Sequence, residues 1–519
     1  MSAKIKRVVI VGGGSAGWLA AGVIAAEHGG GPGAGLEVTL VESPELGPIG
    51  VGEGTWPSMR DTLRRIGVSE TDFIRETDAA FKQGSKFVGW VTGEAGDAYY
   101  HPFMLPNGYL DTDLAAQWRR RYPSVPFAEL VSCQPHLCEH GRAPKQVTTP
   151  EFASVANYAY HLDAGKFGVF LQRHCTEKLG VRHVRDHVAA IEAATDGDLA
   201  ALLLREHGRL EGDLFIDCSG SGALLIGQHF GVPLESRREV LFNDSALAVQ
   251  VPYAAANAPV ACNTISTACG AGWIWDIGLP TRRGIGHVYS SAHSTDEQAE
   301  QTLRKYVATT ATPSVAEAMS CRKLKFAPGY RRTPWHRNCV AVGMSSGFIE
   351  PLEASALALV EFSAAMIRDQ MPTTRAMMEV VAERFNDAFR YRWERVIDFL
   401  KLHYVLSRRS DSAYWADHRA PASVPDRLQE LLALWRYQAP SRYDLYRTEE
   451  IFPSASYQYV LYGMGFRADL PPSARRSEDP ALADRLFAEV REQTRKLMAG
   501  LPGHRELLDH LGRHPFQRI

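Results

Sequence analysis

An α/β fold with a Rossmann-like dinucleotide-binding domain is predicted by three stretches of this chain. The β-branched run Arg7 to Val11 leads through Gly12-Gly13-Gly14-Ser15-Ala16-Gly17-Trp18 into an alanine-rich helical stretch that reaches about Glu27. After the glycine-rich loop Gly29 to Gly35, a second strand runs from Leu36 to Val41 and ends at Glu42. Much later, Leu214-Phe215-Ile216-Asp217-Cys218-Ser219-Gly220 reads as a further strand closing on Asp-x-x-Gly.

Each element has a physical reason. Gly12, Gly14 and Gly17 fit GxGxxG: the first permits the tight turn, the second lets backbone approach a pyrophosphate, and the third allows close helix packing. Ser15 and Ala16 open the helix, whose free N–H groups suit an anion. Glu42, at the end of the second strand, suits the adenosine ribose hydroxyls. FAD is expected rather than NAD, because the segment ending at Asp217 resembles the second nucleotide-contacting strand of the FAD-binding, flavin monooxygenase-type fold. No second glycine fingerprint marks a separate pyridine-nucleotide module, so reducing equivalents are expected from outside. A third strand of this kind, Asn338 to Val342, leads through Gly343, Ser345 and Gly347 to Pro351 and an apolar helix beginning near Ser355. Beyond Met371 the pattern turns helical, over Ala376 to Leu406 and Ala481 to Gly500, with Leu470 to Ser477 as a connection. The FAD-binding domain is therefore expected in pieces, 1–90, 155–236 and 331–370. Residues 91–154, 237–330 and 371–519 would form an intertwined, mostly helical substrate-binding region.

Composition narrows the class. With 519 residues, 45% hydrophobic and 22% charged, the chain is long enough for two packed domains around a large cofactor. A net charge of −2 gives no electrostatic reason to expect nucleic acid or an anionic membrane as partner. The run Arg119-Arg120-Arg121 reads as a solvated face. Eight cysteines without a CxxC pair suggest reduced thiols, a cytoplasmic location and no metal framework. Lys4, Lys6 and Arg7 before an apolar run mimic a secretory signal, but Gly12-Gly13-Gly14 breaks it. The most apolar later stretch, Phe348 to Met366, carries Glu350, Glu353 and Glu361, which argues against a membrane span.

Further motifs lie in order along the chain: Gly50-Val51-Gly52-Glu53-Gly54-Thr55-Trp56-Pro57-Ser58, Ala80-Phe81-Lys82, Gly272-Trp273-Ile274-Trp275-Asp276-Ile277, and Glu350-Pro351-Leu352-Glu353-Ala354-Ser355-Ala356. Ser69 and Asp72 predict a capped helix running to about Phe81, with Lys82 at the junction to a strand Lys86 to Trp90. Taken together with the GGGSAGW turn, these motifs resemble the flavin-dependent tryptophan halogenases from the N-terminus to at least Leu406.

The resemblance implies roles that spacing alone does not supply. Residues 50–58 look like the strap that covers the flavin, with Glu53 and Gly54 beside it and Gly343 contributing from the third strand. Lys82 looks like the catalytic lysine that holds hypohalous acid or carries the halogen as a chloramine-like adduct. Glu353 looks like the carboxylate that stabilises the arenium cation and takes its proton, with Glu350 the bland neighbour. The backbone N–H groups of Ser355 and Ala356 would hold halide. Here Ser-Thr-Gly of the family becomes Ala354-Ser355-Ala356, and alanine restricts the positive φ that glycine allows. Trp273 and Trp275 look like the pair that keeps substrate away from the flavin peroxide. Gly278 stands where the family has proline. His101 and Phe103 match residues that sandwich the indole ring. The stretch Tyr446 to Ser454 does not reproduce the cluster that grips the amino-acid ammonium and carboxylate, so an indole-like or other electron-rich aromatic is expected, with free tryptophan a poor substrate.

The implied enzyme uses FADH2 from a separate NAD(P)H-dependent flavin reductase, O2 and bromide or chloride. It forms hypohalous acid from flavin hydroperoxide and halide, and it works without a metal. Family resemblance also implies a homodimer. Two other readings stay open at this point: a flavin aromatic hydroxylase, and a catalytically silent protein that binds FAD and an aromatic ligand.

Overall fold

The structure is a computed structural model of the 519-residue chain. It describes residues 4–31, 33, 35–45, 52–445, 447, 450–469 and 479–518. Pro32 and Ala34 of the glycine-rich loop, Gly50 and Val51 of the expected strap, Tyr446, Thr448 and Glu449, and the connection Leu470 to Ser477 lie outside the described residues. The chain divides into two compact units, Met1–Ala79, Leu162–Arg237 and Phe326–Trp393 in the first, Ala80–His161, Arg238–Lys325 and Glu394–Ile519 in the second. The first boundary thus falls at Ala79 rather than at residue 90.

The first unit is built on a six-stranded sheet in the order Trp335–His336, Cys339–Ala341, Leu214–Asp217, Arg7–Val11, Glu37–Glu42, Arg182–Arg185. Arg7–Val11 is central and pairs in parallel with both neighbours, Ile10 opposite Ile216 on one side and Leu40 on the other. Val8, Val9 and Ile10 are buried, as a parallel strand covered on both faces requires. At its end the chain turns at Gly12, whose φ of 116° and whose approach to the Cys218 carbonyl, 2.2 Å from where a Cβ would stand, admit only glycine. The helix Ser15–His28 follows. Gly17 lies against the same turn, so close that a Cβ would be 1.8 Å from the Gly12 carbonyl oxygen.

Asp217, at the end of the third expected strand, is fully buried, and its carboxylate is committed to the chain itself. One oxygen accepts from the Ser219 N–H at 3.0 Å and the Ser219 hydroxyl at 2.5 Å. The other accepts from the N–H groups of Leu225 and Ile226, both at 2.8 Å, at the start of the short π-helical segment Leu224–His229. The sequence expectation is a contact with the cofactor; in the structure this carboxylate caps its own turn.

One correction concerns the helix expected to reach Phe81. Ser69 does cap it, accepting from the Asp72 N–H at 3.3 Å, but the helix is Glu70–Glu76. Asp78 adopts φ 52°, a left-handed residue that ends the helix, and Ala80–Lys82 is a strand. Lys82 therefore lies in a strand, not at a helix end.

Elsewhere in this unit, Glu361 of helix Ser355–Asp369 is buried and accepts from Thr62 at 2.6 Å and Ser58 at 3.2 Å. Burial pushes its carboxyl up to about 8, against the pull of those two hydroxyls.

The second unit carries a seven-stranded sheet in the order Arg322–Lys325, Ser245–Pro252, Arg282–Tyr289, Gly272–Gly278, Thr264–Cys269, Gly84–Val88, Ala98–Pro102. All pairings are antiparallel except Thr264–Cys269 with Gly84–Val88. Helix Asp296–Thr310, started by a Thr295/Gln298 capping box, buries Ala299, Leu303 and Val307 against Leu247, Ile274 and Ile285 of the sheet. The helical stretches anticipated from the later sequence are Arg375–Val405 and Pro480–Gly500. No helix among the described residues is long and apolar enough to cross a membrane. All eight cysteines are free thiols, and Cys133, Cys138, Cys175, Cys218, Cys262 and Cys339 are buried.

Two outcomes follow for stability. Asp217→Asn leaves N–H groups that one amide oxygen cannot serve, and is expected to cost about 2–4 kcal/mol in urea unfolding. Because Glu361 binds its proton more tightly folded than unfolded, its contribution favours the fold fully below its usual 4.5 and is lost as pH rises through about 8. Relative to Glu361→Gln, the wild-type unfolding free energy should fall by about 2–4 kcal/mol between pH 5 and pH 8.5. Parallel slopes for the two proteins would refute this.

Candidate active site

A candidate cofactor cavity lies in the first unit. A cavity of about 660 Å³ is lined by Gly12, Gly14, Ser15 and Ala16 of the turn and helix start, by Glu42, Glu53 and Gly343, and by Ser355 and Ala356. Its shape is set by backbone. Helix Ser15–His28 begins without a side-chain cap, and a Cβ on Gly14 would meet nothing within 4 Å. Unsatisfied N–H groups therefore face open space at the positive end of a 14-residue helix, where a pyrophosphate fits. Gly343 has φ 71° and leaves 2.9 Å between its absent Cβ and that of Ala16, so the two turns pack edge to edge. Glu42 reaches His183 Nε2 at 2.9 Å, which fixes the carboxylate at the end of its strand. Burial pushes the Glu53 carboxyl up to about 7. Turn, helix start, strand-end carboxylate and cavity size together fit a flavin dinucleotide. Gly17, Gly54 and Asp217 were expected to contact it, yet they are not among the lining residues; Gly17 packs on Gly12, and Asp217 caps its own turn.

Around Glu353 the backbone is strained. Ala354 N–H donates to the Pro351 carbonyl at 3.0 Å, closing a four-residue turn with Glu353 in its third position at φ 63° and ψ 5°. Glycine is usual there. Ala354 follows at φ 56° and ψ 42°. Two consecutive left-handed residues with a Cβ cost about 1 kcal/mol or more each. Glu353 is buried, and the Trp56 indole N–H donates to its carbonyl at 2.7 Å. Helix Ser355–Asp369 then starts without a side-chain cap. The concern that alanine at 356 would obstruct a positive φ is corrected: Ala356 lies inside the helix, and the left-handed positions are Glu353 and Ala354.

The second unit holds an aromatic cluster around Lys82. Lys82 is 1% exposed, in strand Ala80–Lys82, which pairs antiparallel with Ala159–His161. Its Nζ lies 5.4 Å from the centre of the Phe103 ring. Phe103 is tied to this strand by its N–H, which donates to the Gln83 carbonyl at 3.3 Å. His101 bonds Ser456 at 2.9 Å through Nε2 and tilts against Phe399, which stacks on Phe452 with 3.8 Å between ring centres. Sequence reading missed His161: buried beside Lys82, it is held well below its usual 6.5 by desolvation and by the lysine charge. That places a neutral imidazole next to the amine.

Trp273 and Trp275 share one face of strand Gly272–Gly278, with ring centres 6.5 Å apart. Trp275 stands opposite Gly286, and a Cβ there would be 2.1 Å from the indole. The neighbouring strand thus gives up a side chain to seat a tryptophan. Trp90 extends the cluster to Trp273 at 6.4 Å and donates to the Ser266 carbonyl at 2.9 Å. Neither Gly286 nor Trp90 carries a local signal; each is defined by a partner far away in sequence.

Comparison with known proteins agrees with this geometry. The family model described as tryptophan halogenase matches residues 7–478. The chain is 32% identical to the tryptophan 6-halogenase SttH of Streptomyces toxytricini, over 98% of each chain. Among solved structures it is similar to a tryptophan halogenase from Shewanella frigidimarina NCIMB 400, with 48% identity, 99% of each chain covered and a TM-score of 0.95. It is also similar to BrvH, a flavin-dependent halogenase from Brevundimonas sp. BAL3, at 34% identity over 98% of this chain and 99% of that one, with a TM-score of 0.85. Likeness over the whole length favours halogenation over the hydroxylase and the silent binder.

Proposed function

We propose, from the premise that this chain belongs to the tryptophan halogenase family and is a flavin-dependent halogenase, that its substrate is an indole-like or other small electron-rich aromatic, with free tryptophan a poor one. The observation that carries the reading is the buried Lys82 amine against Phe103, with His101, Phe399 and Phe452 forming an aromatic wall in the same unit.

When bound, the reduced flavin together with O2 supplies the oxidising equivalent that turns halide into hypohalous acid. A separate flavin reductase provides the reduced form. Gly12, Gly14, Ser15 and Ala16 hold the pyrophosphate through backbone N–H groups, Glu42 accepts from the ribose, and Glu53, Gly54 and Gly343 border the ring system. The N–H groups of Ser355 and Ala356 attract bromide or chloride to the start of an uncapped helix. Lys82 holds the hypohalous acid by a hydrogen bond to its oxygen, or carries the halogen on Nζ, and so directs it to one ring carbon. Burial and the Lys82 charge together keep His161 a neutral imidazole in this setting. Phe103 and His101 fix the ring plane. As the aromatic π electrons form the carbon–halogen bond the oxygen–halogen bond breaks, the departing hydroxide takes a proton from the Lys82 ammonium and leaves as water, and Glu353 stabilises the ring cation and takes its proton, which is then returned to the lysine through solvent. Trp273 and Trp275 exclude the aromatic from the oxidising centre and keep water out.

Purified protein with FAD, a flavin reductase, NADH, oxygen and either halide is expected to halogenate indole, read as the halogen isotope pattern by mass spectrometry. Its kcat/KM for indole should exceed that for free tryptophan by about tenfold or more, the scale set by an unmatched ammonium and carboxylate. Lys82→Met should lower product formation by at least about a hundredfold while FAD affinity stays within twofold. Halogenated product from Lys82→Met at the wild-type rate would remove the lysine from the mechanism, and a preference for free tryptophan would overturn the substrate reading.

A further inference from the structure

The strained turn at Glu353 needs something to hold it. Its two left-handed residues each bear a Cβ, and the helix that follows is uncapped by any side chain. The bond from the Trp56 indole to the Glu353 carbonyl joins residues 297 apart in sequence, is buried, and at 2.7 Å is short for an N–H donor. It acts on the peptide between the two left-handed residues, so turning either of them back to a right-handed conformation would carry that carbonyl away from the indole. Trp56 is itself firmly seated, nearly buried and edge-on to Phe362 of the same helix, with ring centres 6.4 Å apart at 68°. Directly after it, helix Ser58–Arg65 is fastened to Glu361 by Ser58 and Thr62. The donor thus comes from a segment anchored to the helix that follows the turn it holds.

We propose that Trp56 is a positioning residue for the halogenation step: its N–H keeps the Glu353-Ala354 peptide in the left-handed turn from which the Glu353 carboxylate takes the aromatic proton. This rests on the reading of Glu353 as that proton acceptor. Glu53 of the motif Gly52 to Ser58 lines the cofactor cavity and Ser58 bonds Glu361, whereas Trp56 acts on the Glu353 backbone.

Trp56→Phe keeps an aromatic ring against Phe362 but removes the donor together with the second ring, and β-(3-benzothienyl)alanine at position 56 controls for the lost volume. It is expected to lower kcat for bromination of indole at least tenfold, with KM for indole and the affinity for FAD both within twofold of wild type. Hydrogen exchange read by mass spectrometry, without substrate or flavin, should speed up at least tenfold in peptides covering Glu350 to Leu357 and stay unchanged in the strands Arg7–Val11 and Leu214–Asp217. Adding Ala354→Gly, which makes one of the two left-handed positions inexpensive, should restore slow exchange and at least a third of the lost kcat. A residue that merely filled space would show no such rescue. If Trp56→Phe does not fold, β-(3-benzothienyl)alanine at position 56, which exchanges the N–H for sulfur at nearly constant volume, takes its place with the same expectations. Wild-type kcat and wild-type exchange in the variant overturn the proposal, as does a loss confined to KM or FAD affinity. Glu353→Gln run in parallel separates the two readings: full activity there removes Glu353 from the chemistry, whereas an inactive Glu353→Gln beside an unaffected Trp56→Phe removes only Trp56.

Discussion

The approach of the Gly17 backbone to the Gly12 carbonyl, with no room for a methyl group between them, sets the geometry of the whole cofactor side. It brings the first turn of helix Ser15–His28 against the end of the central strand, so that the helix axis and its unsatisfied N–H groups point out of the sheet. The same turn rests on the Cys218 carbonyl, and Cys218 follows Asp217, whose carboxylate gathers the donors of its own turn. Strand end, helix start and the second turn are therefore a single packed object. Opposite them, Gly343 adds a third turn by giving up its side chain beside Ala16. Any side chain at these glycines would spread the strands before it blocked the cavity.

The second unit meets a different constraint, seating large aromatic rings in an antiparallel sheet. Ring volume is accommodated by subtraction: Gly286 yields its side chain to Trp275, and Trp90 and Trp273 share the space beyond. Lys82 sits in this apolar setting with Phe103 facing its amine and His161 beside it. A buried amine is costly unless its charge meets partners, and the face of Phe103 is one of them.

How legible was this in the sequence? The elements around Gly12 were, because a β-branched run, a glycine turn and an alanine-rich helix are local signals with different periodicities. The end of helix Glu70–Glu76 was not, since nothing in its composition announces that Asp78 turns left-handed. The four donors gathered by Asp217 were not legible either, since an acidic residue after an apolar strand carries no mark of the turn it will cap. The seven-stranded sheet was hidden because its pairings are distant, Thr264 meeting Ser85 and Trp275 meeting Gly286. Resemblance located Lys82 and Glu353 as candidates, but neither the left-handed pair at Glu353-Ala354 nor the indole that bonds it has any signature along the chain.

Burial also governs the thiols. Desolvation raises Cys133 to about 11 and Cys175 and Cys269 to about 12, and it holds Cys218 and Cys339 well above their usual 9.0. At neutral pH these sulfurs are protonated, and the protonated form is the poor nucleophile. An enzyme that generates an electrophilic halogen oxidant inside itself carries a hazard to every thiolate within reach. Cysteines kept protonated in apolar surroundings are weaker nucleophiles than thiolates, so the packing that stabilises the fold also lowers their reactivity towards such an oxidant.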